Sequence, residues 1–190
     1  MSPESLLQQE DFAIAECPSY LIKLDLAAGQ NKKPGFLSID ISPDVKPDII
    51  ADLNKYPWDW VKDNEVFQIH CSHYIEHVED IKRFMEECYR ILVPMGTINI
   101  IAPYYSSIRA SQDYTHVRLI SENTFLYFNQ AWMKDNKLEH YGIKCDFETL
   151  SMRYYYNPDW EARADVAREW ARQHYWNVVA DIEVTLRAIK

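Results

Sequence analysis

Residues 66–102 read VFQIHCSHYIEHVEDIKRFMEECYRILVPMGTINIIA. Two apolar runs of strand length, 66–71 and 97–102, flank a segment in which Ile81, Phe84, Met85, Cys88, Ile91 and Leu92 recur at three- and four-residue steps. That step is the period of an amphipathic helix, whereas a short apolar run bounded by turn signals is a strand. The spacing predicts a helix over 78–92, halted by Pro94 and Gly96. Strand, helix and strand in that order make the crossover that joins parallel neighbours of one sheet.

Upstream, three more apolar runs fit the same sheet: 20–26 (YLIKLDL), 35–41 (GFLSIDI) and 48–51 (DIIA). Downstream, Ser121 and Glu122 open a helical pattern whose broad apolar face carries Phe125, Leu126, Phe128 and Trp132, expected to cap the ligand side of the sheet. Residues 146–156 alternate as a strand, 158–173 look helical, and 178–189 (VVADIEVTLRAI) alternate again. The last two strands should pair antiparallel at one edge. The expected fold is therefore α/β, a doubly wound and mostly parallel sheet with an antiparallel edge strand. No repeat, low-complexity tract or linker divides the chain, so residues 1–190 form one domain.

Composition narrows the function. Apolar residues make up 47% and charged residues 26%, enough for a substantial core. A formal net charge of -9 argues against nucleic acid, whose binding depends on clustered Lys and Arg. Cys17, Cys71, Cys88 and Cys145 contain no C-x-x-C pair, which points to a reducing, cytoplasmic compartment. Residues 1–16 lack the basic start and apolar run of a secretory signal, and no stretch has the ~18 uncharged apolar residues of a membrane span.

In open α/β sheets, ligands bind beyond the carboxyl ends of the strands. Those ends carry Asp25-Leu26-Ala27-Ala28-Gly29-Gln30-Asn31 after the first strand, Asp40 after the second, Asp52-Leu53 after the third, and Ser72, His73, Glu76 and His77 after the fourth. Small residues let main chain approach a ligand, and a carboxylate after the second strand has the position that accepts hydrogen bonds from ribose hydroxyls.

The ordered segments LDLAAGQN, FLSIDIS, DIIADL, IHCSHYIEHV and ECYRILVPMGTINIIAP, within residues 20–103, resemble the class I S-adenosylmethionine-dependent methyltransferases. QDYTHVRLIS, residues 112–121, resembles the D-x-T-H loop of some small-molecule members. The resemblance implies a Rossmann-like fold, S-adenosylmethionine as cofactor, a small-molecule methyl acceptor, and no metal. It implies that Asp25 and Gly29 hold the amino-acid end of the cofactor, Asp40 its ribose, Asp52 and Leu53 its adenine edge, and Ser72 and His73 the floor near the sulfonium, with Ala27 and Ile41 also among the cofactor-binding residues. The family has a glycine where Ala27 stands. Only nine residues separate Leu26 from Phe36, so the helix expected there should be vestigial.

His73 and His116 are candidate general bases, with Asp113 as an orienting partner. Residues 73–77 (HYIEH) also match H-x-x-E-H, a zinc-peptidase pattern that requires both histidines on one helix; the methyltransferase reading instead makes Glu76-His77 the start of the next helix. A non-catalytic cofactor-binding module is the remaining alternative. Tyr154, Tyr155, Tyr156 and Trp160 suit core packing or a homodimer contact, and His70 and Cys71 read as buried structure.

Overall fold

The computed structural model describes residues 21–190. The readings of residues 1–16, Cys17 and Tyr20 lie outside them. The sheet comprises β1 (Ile22–Leu26), β2 (Leu37–Asp40), β3 (Ile49–Ile50), β4 (Val66–Ser72), β5 (Leu92–Pro103), β6 (Phe147–Tyr156) and β7 (Val179–Ala188), in the spatial order β3-β2-β1-β4-β5-β7-β6. The first five strands run parallel to one another. β7 pairs antiparallel with both β5 and β6, giving the expected antiparallel edge.

The crossover from β4 to β5 is α1 (Ile81–Ile91), which buries Phe84, Met85, Cys88 and Ile91. Burying each such side chain stabilises the fold by roughly 1.5–3 kcal/mol before entropy is counted. Asp80 caps α1 by accepting a hydrogen bond from the Arg83 amide at 3.0 Å. Glu76-His77 therefore does not begin this helix; Ile75–His77 is a separate single 3₁₀ turn. After α1 the chain bulges through Met95 at φ 67, and the β4–β5 register shifts there. Gly96 fits because a Cβ would lie 3.0 Å from the Val93 carbonyl and 3.1 Å from that of Phe67.

The remaining helices are shorter than their sequence pattern suggests. Ser121 begins a 3₁₀ segment (Glu122–Phe128) followed by α3 (Gln130–Asp135), because Asn129 ends the first and caps the second through the Trp132 amide. Residues 158–173 split into α4 (Pro158–Glu161) and α5 (Asp165–His174). α2 (Ile108–Gln112) follows β5. No described helix is long and apolar enough to cross a membrane.

The connections β1–β2, β2–β3 and β3–β4 contain no α-helix, only a 3₁₀ turn at Pro43–Val45. One face of the sheet accordingly has an apolar row, Leu24, Ile69, Ile98 and Leu186, registered across four strands. The opposite face has a polar one: Asp25, His70, Asn99, Thr185 and Ser151. The β1–β2 connection crosses this polar face, with Lys33 Nζ 3.3 Å from His70 Nδ1 and the Phe36 ring edge-on to His70. His70 is thus half-buried among polar partners rather than enclosed in the apolar core, while Cys71 is fully buried.

Candidate active site

Two regions meet at the carboxyl edge of the parallel strands. In the first, Asp25 at the end of β1 is 3% exposed, and its Oδ2 accepts from the Lys33 amide at 2.7 Å. The chain between them turns through left-handed residues, Ala27 at φ 52 and Gly29 at φ 55. Asp40, the last residue of β2, accepts from the Gly29 amide at 2.9 Å with Oδ2 and from the Ser42 amide at 2.9 Å with Oδ1. These bonds pin the loop while each carboxylate oxygen keeps a further lone pair for a ligand. Ile41 beside it is 64% exposed. Asp52 accepts from the Asn54 amide, and the buried Leu53 offers its carbonyl to Trp58 Nε1 at 3.2 Å. The Leu53 side chain therefore belongs to the core, and what it can present to a ring is main chain.

In the second region, β4 ends at Ser72 and the chain reverses at His73, φ 54, whose amide donates to the Ile101 carbonyl at 2.8 Å. This reversal delivers Ile75–His77 to a cleft of about 230 Å³ lined by His73, Glu76, His77, Arg109, Asp113 and His116, among others. The helix demanded by the zinc-peptidase pattern is absent at His73 and His77. His77 faces His116 instead, with ring centroids 4.7 Å apart. Asp113 lies 3.9 Å from His116 Nε2 but makes its closest contacts with Thr115, accepting from its hydroxyl at 2.7 Å and its amide at 2.9 Å. Those two bonds, the amide's foremost, hold the Asp113 carboxyl below its usual range. Thr115 in turn contacts His77 Nδ1 at 3.0 Å, so Asp113 steers His77 through Thr115.

Sequence reasoning overlooked Arg109 and Asp181. Arg109 Nη1 donates to Asp181 Oδ2 at 2.5 Å across the cleft wall. Burial is the main force raising the Asp181 carboxyl above its usual range, against the pull of Arg109. The signal was present: an acid at an inward position of the alternating run 178–189 is expensive unless paired.

Residues 24–100 match the family model described as a methyltransferase domain. The matched segment runs from β1 into β5 over about two fifths of the chain, which is thus similar there to a methyltransferase domain. The chain also superposes on solved structures of methyltransferases and of one cyclase. It aligns with a SAM-dependent methyltransferase of Archaeoglobus fulgidus at TM-score 0.60 and 16% identity, covering 89% of this chain and 86% of that one. It aligns with an arsenic(III) S-adenosylmethionine methyltransferase of Chlamydomonas reinhardtii at TM-score 0.53 and 14% identity, covering 90% and 64%. The cyclase SpnF is similar as well, at TM-score 0.54 and 13% identity over 89% and 74%. At these identities the likeness concerns fold alone. No curated protein matches the chain.

S-adenosylmethionine, which solved structures similar to this chain name as their methyl donor, is a ligand that the first region suits. A Cβ built on Gly29 would meet nothing within 4 Å, so the pinned loop has open space on that side. Residues 27–29, Asp40 and the Asp52-Leu53 turn all lie at strand ends on one edge of the sheet.

Proposed function

We propose that the chain binds S-adenosylmethionine along Asp25, Ala27, Gly29, Asp40, Ile41, Asp52 and Leu53, and methylates a small-molecule acceptor held in the cleft beside Ser72 and His73. The observation that carries this reading is the double use of Asp40: it fixes the Gly29 loop and still offers acceptor positions to a ribose. The cofactor supplies a methyl group bonded to a cationic sulfur. The acceptor attacks that carbon in line, the new bond forms as the C–S bond breaks, and the electron pair leaves with sulfur as a neutral thioether. The chain's task is placement, worth roughly 7–11 kcal/mol in well-oriented systems. His73 and His116 are the proposed sites to receive an acceptor proton, with Asp113 ordering the cleft. A cleft of about 230 Å³ suits a small acceptor or the end group of a larger one. The acidic balance disfavours nucleic acid, and the free thiols of Cys71, Cys88 and Cys145 fit a reducing cytoplasm.

Calorimetric titration of the metal-free chain with S-adenosylmethionine and with its demethylated product tests the cofactor site. Binding in wild type that is lost in Asp40→Ala supports it; a folded wild-type chain that binds neither compound refutes it.

A further inference from the structure

Glu76 is 2% exposed, and neither of its carboxylate oxygens has a hydrogen-bond partner. Its nearest basic neighbour, His73 Nδ1, stands 3.5 Å from Oε1. Leaving a carboxylate buried and unbonded is costly unless a ligand completes it. Glu76 lines the same cleft as His77 and His116, and one ligand-type atom from each of the three lies within 4.8 Å of the others.

The histidines carry a second, independent signal. His116 Nδ1 is 3.1 Å from the Ala110 carbonyl, which can only accept, so Nδ1 bears the proton and Nε2 keeps its lone pair. His77 Nδ1 meets the Thr115 hydroxyl at 3.0 Å, and that hydroxyl has given its one proton to Asp113. His77 Nδ1 must therefore donate, which in the neutral ring places the lone pair on Nε2. A backbone carbonyl and a carboxylate-backed hydroxyl are the partners that fix the tautomer of metal-bound imidazoles.

We propose that Glu76, His77 and His116 form a binding site for a divalent first-row transition metal ion. Two imidazoles and one carboxylate favour Mn²⁺, Fe²⁺, Co²⁺ or Zn²⁺ over the all-oxygen preferences of Mg²⁺ and Ca²⁺. One carboxylate charge and two neutral rings leave the ion partly uncompensated, with coordination positions open to the cleft. If the methyl-transfer reading holds, on which this last step rests, an acceptor bearing a hydroxyl would suit the open coordination positions of the ion. Its hydroxyl would bind the ion and pass its proton to His73, the proposed base left free once His116 Nε2 holds the metal. The resulting oxygen would form the C–O bond as the C–S bond breaks toward sulfur.

The test is titration of the metal-free full chain with CoCl₂ and MnCl₂, by calorimetry and, for Co²⁺, by visible absorption. The expected result is one ion per chain, a ligand-field spectrum with nitrogen ligands, and affinity reduced at least about tenfold in folded Glu76→Gln and His116→Asn. No stoichiometric binding by wild type, or equal binding by both variants, overturns the site. Repeating the S-adenosylmethionine titration on wild type with and without metal separates the two readings: cofactor binding without metal binding defeats only the metal site, and metal binding without cofactor binding defeats only the acceptor role.

Discussion

Thr115 is a small side chain with an unusual load, since its hydroxyl links the Asp113 carboxylate to His77 Nδ1. Thr115→Val keeps the shape and deletes the link. It is expected to lower Co²⁺ affinity about 10- to 100-fold while leaving the fold intact, read by the same visible titration. Glu183 has a comparable role on the polar face, where it accepts from Tyr155 at 2.5 Å and Asn99 at 2.8 Å. Burial pushes its carboxyl up, yet the bonds from Tyr155 and Asn99 prevail and hold it below the usual range. A depressed native value means that the stabilisation is complete above the unfolded pKa, about 4.3, and fades as pH falls through the native one. Glu183→Gln should therefore flatten the acid limb of stability below about pH 4.3, measured as urea midpoints across pH.

At the scale of elements, the tie between α1 and the loop after β3 is decisive. Glu87 is buried, accepts from the Trp58 amide at 2.6 Å, and pairs with Arg90 at 2.6 Å. Arg90 reaches the Trp58 and Val61 carbonyls in turn. Glu87→Ala strands a buried amide and a half-buried guanidinium, so a loss of about 2–4 kcal/mol is expected by urea denaturation. Because Trp58 Nε1 also holds the Leu53 carbonyl, the same variant should weaken S-adenosylmethionine binding through a looser Asp52-Leu53 turn. The elements themselves were legible wherever one period dominated, as in α1 and β4–β5. Residues 121–135 and 158–173 were not, because Asn129 and the 162–164 break interrupt helices that the apolar pattern alone would continue. The three-strand stretch without crossover helices was visible only as short spacing. Of the candidate site, the strand-end acids could be read from position, but the meeting of Glu76, His77 and His116 depends on a loop about 40 residues downstream folding back, which local pattern does not encode.

For the whole molecule, ligand linkage offers the most direct check. A compound that binds only the folded chain adds about 2.7 kcal/mol at a hundred times its Kd. For a chain of 190 residues this corresponds to a rise of roughly 5–10 °C in Tm. S-adenosylmethionine should produce that shift in wild type and none in Asp40→Ala, measured by differential scanning calorimetry.

The absence of a helix after β1 has a further effect, on turnover. In a doubly wound sheet the first helix N-terminus contributes about half a positive charge near the ligand. Here Asp25, Asp40 and Asp52 stand at that edge, and the β1–β2 connection answers the three carboxylates only with the side-chain charges of Lys32 and Lys33. The edge favours a ligand bearing one more positive charge, and the sulfonium donor differs from the spent thioether in that respect. On the proposed reading the spent thioether should leave these strand ends readily, and adding it to a methyl-transfer assay should inhibit little.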